Sequence, residues 1–174
     1  GSAATSMTSG TTITAVGGTS AANSVVRLGN NNALGSATLN LGDGSNAAGQ
    51  VSVNSGINVA SSSTITYAGG YVTVGSAPIS GPASGTGTIS GTIRINANDT
   101  SISTTGWGHI MGGGGALNIA GPIITGGTNT ANEVDIYSGN VVLSNAAGNT
   151  YTSLRVNQGT TTLGVSDAVP SGAN

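Results

Sequence analysis

The stretch QVSVNSGINVASSSTITY, residues 50–67, decides how this chain is read. Val51 and Val53 alternate with Gln50 and Ser52, Ile57 and Val59 flank Asn58, and Ile65 sits between Thr64 and Thr66. A side-chain period of two puts the apolar residues on one face of a strand and the polar ones on the other. Asn54-Ser55-Gly56 and Ala60 to Ser63 separate the three runs, and small polar residues of this kind make tight turns. Eighteen residues therefore predict three short strands, too close together for any helix between them.

The same grammar extends in both directions. Val72/Val74, Ile93/Ile95, Leu117/Ile119 and Val134/Ile136 repeat the alternation. Further strands are expected over 11–16, 24–28, 37–41, 71–74, 87–89, 92–95, 117–119, 133–137, 140–143, 154–157 and 160–163. The connectors are Gly17-Gly18, Asn30 to Asn32, Gly42-Asp43-Gly44, Gly69-Gly70, Gly112 to Gly115 and Gly126-Gly127. Gly and Asn accept the positive φ of sharp corners. Pro78, Pro82, Pro122 and Pro170 fall at strand ends or in turns, where a missing N–H is harmless. No window carries a useful 3.6-residue period.

Composition points the same way. Of 174 residues, 31 are Gly, 36% are hydrophobic, only 5% are charged and 3% aromatic. An average domain carries about 25% charged residues. Side chains this small fill a globular core poorly, whereas stacked coils bury each apolar face against the next. The expected fold class is all-β, a single-stranded right-handed parallel β-helix (β-solenoid) with essentially no α-helix. Residues 1–174 are expected to form a single β-solenoid domain of about six to nine coils spaced about 4.8 Å apart. That domain is read as one segment or subunit of a longer solenoid or fibre.

Charge and residue type exclude several partners. Arg27, Arg94 and Arg155 are the only basic residues, there is no Lys, and the net charge is −2. Nucleic-acid and polybasic membrane-surface binding both need clustered Lys and Arg. No apolar run approaches the ~20 residues of a membrane helix, so no membrane insertion is expected. With no Cys, disulfides and thiolate metal sites are out of reach. A surface coated with Thr, Ser and Asn and poor in charge favours association.

Two echoes run through the chain. Leu28 to Ala37 and Leu163 to Gly172 share the pattern L-G-x-x-x-A-[LV]-x-S followed by a small residue. Gly85 to Ile93 contains a shorter one, GTGTISGTI. The period is irregular, as in β-helices whose loops vary in length.

One stretch carries a resemblance. GNVVLSNAAGNTYTSLRVNQGTTTL, residues 139–163, resembles the autotransporter-associated β-strand repeat. Gly139, Leu143, Ser144, Asn149, Tyr151, Val156, Gly159 and Leu163 fall on its recurring positions, and Ala168-Val169-Pro170 is similar to its tail. Ser153-Leu154 replaces the Gly-Gly of that repeat, so a differently built corner is expected there. The resemblance implies a secreted bacterial parallel β-helix with a structural or adhesive role.

Few residues could carry chemistry. Glu133 and Asp135 lie two apart on an expected strand, with Val134 and Ile136 on its other face. Such an outward carboxylate pair could serve glycoside cleavage or Ca²⁺; a solvated outer face is the favoured reading. His109 is the only His, and with Trp107 it could contact a ligand or a neighbouring subunit. A loop position and a seal over a loose coil end are the plainer readings. Thr-x-Thr pairs at 12/14, 64/66, 86/88, 150/152 and 160/162 are spaced too unevenly to predict the aligned array that ice binding needs. No nucleophile elbow and no phosphate-cradling G-x-x-x-x-G-K-[ST] motif occurs.

These observations predict a non-catalytic extracellular structural protein with no cofactor and no metal. It is expected to self-associate end to end, by coil stacking or by lending an N-terminal strand, into a fibre, sheath or surface layer. An adhesin segment binding polysaccharide is the alternative, and a carbohydrate-active β-helix enzyme a distant one.

Overall fold

A computed structural model describes residues 7–16, 24–43, 49–68, 79–96, 106–126 and 132–173. Among the described residues there is no helix. The first strands are β1 (Thr12–Ala15), β2 (Val25–Leu28), β3 (Thr38–Leu41), β4 (Gln50–Val53), β5 (Asn58–Val59), β6 (Thr64–Tyr67) and β7 (Ile79–Ser80). They are followed by β8 (Thr86–Ile89), β9 (Thr92–Ile95), β10 (Gly106–Ile119), β11 (Ile123–Thr125), β12 (Asn132–Leu143), β13 (Ser153–Val156) and β14 (Thr160–Leu163). The strand expected over 71–74 lies outside the described residues.

The strands make two parallel sheets. One runs β1-β3-β6-β9-β11. The other runs β13-β12-β10-β7-β4-β2, with β14 beside β12, β8 beside β10 and β5 beside β8. The long strands β10 and β12 serve two columns each: β10 pairs β7 through Ile110 and β8 through Leu117. Each coil thus passes three strand columns before it meets itself one rung on, and the chain is a parallel β-solenoid. Among the described residues the first sheet is five strands deep and the longest column of the second is six, against the six to nine coils expected. Partners within the first sheet lie 26 residues apart at Thr12 and Thr38 and 30 apart at Ile93 and Ile123. Corners and loops consume more chain than strand lengths alone suggest.

Alternation along the strands becomes continuity between them. Ile13, Leu39, Ile65, Ile93 and Ile123 pair in sequence along the first sheet. Val26, Val51, Ile79, Ile110, Ile136 and Val156 form a second file. Val59, Ile89, Ile119, Leu143 and Leu163 form a third. The internal members of all three files are buried. Each contributes about 1.5–3 kcal/mol of transfer free energy, so the core is a set of apolar files along the axis.

The outer face holds one aligned file of threonines that the uneven Thr-x-Thr spacing does not predict. Thr12, Thr38, Thr64 and Thr92 stack in register. The irregular spacing is absorbed by loops and never reaches the ladder. The array is one file wide, since the neighbouring column reads Thr14, Asn40, Thr66 and Arg94.

Corners are sealed by close backbone contact and side-chain hydrogen bonds. Gly112 to Gly115, expected as a connector, continues inside β10, with register shifts between Ile110 and Met111 and between Met111 and Ala116. Gly113, Gly139 and Gly159 have φ of 69°, 79° and 91°. They stack so that a Cβ on Gly139 or Gly159 would strike the backbone of the glycine one rung before. On another edge the Asn58 amide donates to Asn31 Oδ1 (2.7 Å) and Ser90 Oγ to Asn58 Oδ1 (2.8 Å).

The longer echo is a reused turn. Ala33 N donates to Asn30 O and, at the matching positions, Ala168 N donates to Val165 O (3.2 and 3.4 Å). Leu34 and Ala168 are both buried. The copies follow strands of different columns, β2 and β14, so the echo is not a whole-coil repeat.

Candidate functional site

Two features stand out on this scaffold: a charged cluster on β12 and β13, and the end of the stack those strands form.

Glu133 and Asp135 alternate with Val134 and Ile136, whose side chains are buried. The carboxylates therefore project from the outer face, as their spacing predicts. The solvated setting expected for them is not found: Asp135 is 0% exposed. The next rung explains the burial. Parallel pairing sets Glu133 beside Ser153 and Asp135 beside Arg155. Arg155 Nη2 donates to Asp135 Oδ2 at 2.8 Å. Asn157 Nδ2 donates to both Asp135 oxygens, at 2.9 and 3.0 Å. Arg155 Nε lies 3.4 Å from Glu133 Oε1, and Ser153 Oγ donates to Glu133 Oε2 at 3.4 Å. The hydrogen bond to Asp135, aided by the charges of both carboxylates against a cost of burial, raises the Arg155 guanidinium above its ordinary value. Charge-assisted hydrogen bonds of this kind offset the cost of burying the group. The cluster reads as a clamp between rungs, with the oxygens of Asp135 already engaged.

Sequence reasoning found the two carboxylates and missed Arg155. The signal was available: G-N-V-V-L at 139–143 and G-T-T-T-L at 159–163 share an offset of twenty residues. Sliding one rung over the other by that offset sets Arg155 on Asp135.

Trp107 and His109 lie on β10, where the backbone register pairs Trp107 with Glu133 and His109 with Asp135. Their side chains lie outside the described residues. Both residues therefore share register positions with the carboxylates. Among the described residues, no three His, Cys, Asp or Glu side chains gather as metal ligands would.

The end of the stack is built by the motif that carries the family resemblance. Asn149 Oδ1 accepts from the Ile123 amide (2.9 Å), and Asn149 Nδ2 donates to Ala168 O (3.0 Å). Tyr151 is buried, and its hydroxyl donates to the same carbonyl at 2.8 Å. The turn containing Ala168 thereby covers one side of the last coil. Ser153 and Leu154, in place of the Gly-Gly, open strand β13. In the other two columns Val156 on β13 is 46% exposed and Leu163 on β14 is 54% exposed. Both end files whose interior members are buried.

Burial pushes the Tyr151 phenol from 10.0 up to about 12. The unfolded chain loses this proton from about pH 10 while the folded chain keeps it. Its contribution to stability is complete below pH 10 and is lost as pH rises from there through about 12. Tyr151→Phe is expected to flatten that part of the profile and to cost about 1 kcal/mol at neutral pH through the missing hydrogen bond. Urea midpoints at pH 8 and pH 11 measure both effects.

A shallow groove of about 380 Å³ runs beside Arg27, Ser52, Asn54, Ser55, Pro82 and Ala83. Another, of about 500 Å³, lies among Met7, Asn31, Asn32 and Ser62. Both are open to solvent.

Compared with known protein families, with curated proteins and with solved structures, the chain finds no match.

Proposed function

We propose that this chain is a non-catalytic structural segment of an extracellular fibre, sheath or surface layer, and that it associates with itself end to end. The observation that carries this reading is the stack itself, parallel strands whose apolar files run from rung to rung along one axis. A chain with 5% charged residues offers little repulsion between copies. The resemblance of residues 139–163 to the autotransporter-associated repeat supports the extracellular setting.

The test is concentration-dependent association. Sedimentation velocity on the 174-residue chain should show species larger than the monomer growing with concentration. Electron micrographs of the same samples should show rods one solenoid wide. A strictly monomeric profile at high concentration would sink the reading.

An adhesive role is the second reading, favoured by the groove beside Arg27 with its hydroxyl and amide lining. A glycan panel in which acidic polysaccharides bind, and Arg27→Ala abolishes the binding, would support it over the first.

A further inference from the structure

We infer that the groove beside Arg27 takes a uronic-acid unit of a polysaccharide, with the guanidinium on the sugar carboxylate and with Asn54, Ser55 and Ser84 on hydroxyls of that ring and the next. This deepens the adhesive reading above, on which it rests, by naming the chemical group that is recognised.

The fold places the groove on the lateral face of the stack. Arg27 lies between half-buried Val26 and buried Leu28 and is itself exposed. Parallel pairing sets it beside Ser52 on β4, and Ser52 beside Ser80 on β7. Pro82 and Ala83 follow β7 and line the far end. The groove thus crosses three rungs where the strands of this column end. Its long direction is the solenoid axis, and rung intervals of about 4.8 Å set its length.

Two positions without side chains shape it. A Cβ on Gly29 would meet Asn54 Nδ2 at 3.3 Å, and one on Gly85 would lie 2.1 Å from Ser55 Oγ. The Asn54 amide therefore reaches back over the Arg27 rung, and the Ser55 hydroxyl reaches forward over the Ser84 rung.

Unspent hydrogen-bonding capacity sets this groove apart. Elsewhere polar side chains stitch the rungs together: Asn31 Oδ1 accepts from the Asn58 amide, Ser90 Oγ donates to Asn58 Oδ1, and Ser144 Oγ donates to Asn118 Oδ1. Arg155 is held by Asp135 and Glu133. Among the described residues, the side chains of Arg27, Ser52, Asn54, Ser55 and Ser84 have no such partner.

The ligand class follows from these groups. A guanidinium presents a planar fork of donors that matches the two oxygens of a carboxylate. Amide and hydroxyl side chains donate and accept, as sugar hydroxyls do. Pro82 and Ala83 supply apolar lining against which the C–H face of a sugar ring can rest. A volume of about 380 Å³ is at the small end of the range for ligand sites, about 300–1,000 Å³. So open a site holds one unit weakly, and a polymer that engages many chains gains by avidity.

Saturation-transfer NMR reads weak binding to monomers and assemblies alike. Cellobiouronate should bind the 174-residue chain at least about tenfold more tightly than cellobiose, which differs only in lacking the carboxylate. Arg27→Gln should abolish that preference, and Asn54→Ala should weaken both sugars about threefold. Arg94→Gln, on β9 in the other sheet, removes the same charge elsewhere and should change neither. Circular dichroism checks each fold. Should Arg27→Gln fail to fold, the sugar preference of the parent chain and the loss in Asn54→Ala decide the matter. Equal binding of the two sugars, a preference that survives in Arg27→Gln, or tighter binding of cellobiose 6-sulfate than of cellobiouronate would overturn the uronate assignment. Adhesion would still stand if other glycans bound. If no glycan on a broad panel binds, the adhesive reading falls with it.

Discussion

Gly112→Ala is expected to cost about 3–5 kcal/mol, enough to unfold a domain of ordinary stability at physiological temperature. A Cβ at this position would lie 2.2 Å from the Asn140 carbonyl oxygen, 2.3 Å from its amide nitrogen and 2.6 Å from its carbonyl carbon. All three are backbone atoms, so no rotamer relieves the clash. Asn140 cannot retreat, because it pairs with Ala116 and is followed by Val141 paired with Leu117 and Leu143 paired with Ile119. Moving it would lift β12 off β10 along two buried files. The alternative is to push β10 away from β7 and β8 on the other side. A methyl on the open turn at Gly56, where nothing lies within 4 Å but φ is +73°, costs only the backbone conformation, about 1 kcal/mol. Urea denaturation of the two variants side by side separates close approach from conformational strain.

Arg155→Ala is the second large effect, expected at about 2–4 kcal/mol. The Asp135 carboxylate is wholly buried, whereas the Arg155 side chain is 43% exposed. Removing the guanidinium strips a cation from a carboxylate that the folded chain buries, and that loss exceeds the modest value of an exposed pair. Asn157 still donates to Asp135, which keeps the figure below that of a fully orphaned charge. Asp135→Asn added to Arg155→Ala is expected to recover about 1 kcal/mol or more, the scale of a charged hydrogen bond. A double-mutant cycle from chemical denaturation at pH 7 tests this. Additive losses would show that Arg155 contributes through packing and not through its charge.

The strands were legible because period two is a local property. Gln50–Val53, Thr64–Tyr67, Thr92–Ile95 and Thr160–Leu163 fall where alternation places them. β7 escaped notice because two residues, Ile79 and Ser80, are too short to show a period. β10 was seen only at Leu117–Ile119 because four glycines read as a turn, whereas here they carry a strand round a corner. Relations between rungs were the hardest to read. Whether Thr38 sits over Thr12, or Arg155 over Asp135, depends on how many residues each loop spends before the next rung. The glycine corners at 139 and 159 fixed that offset for one pair of rungs. No comparable pair of corners precedes Thr12 and Thr38, so the threonine file emerged only from the structure. The burial of Asp135 has the same origin, since the residues that engage it belong to a rung twenty positions later.

Unequal loops have a practical consequence. Ile136 reaches Val156 after 20 residues and Ile79 reaches Ile110 after 31, yet both steps advance the same file by one place. The perimeter can lengthen or shorten while the lattice of rungs keeps its pitch. A foreign peptide spliced into such a detour would be carried at a fixed height on a rigid mast, and a series of such insertions would space cargo along one axis at intervals set by the backbone.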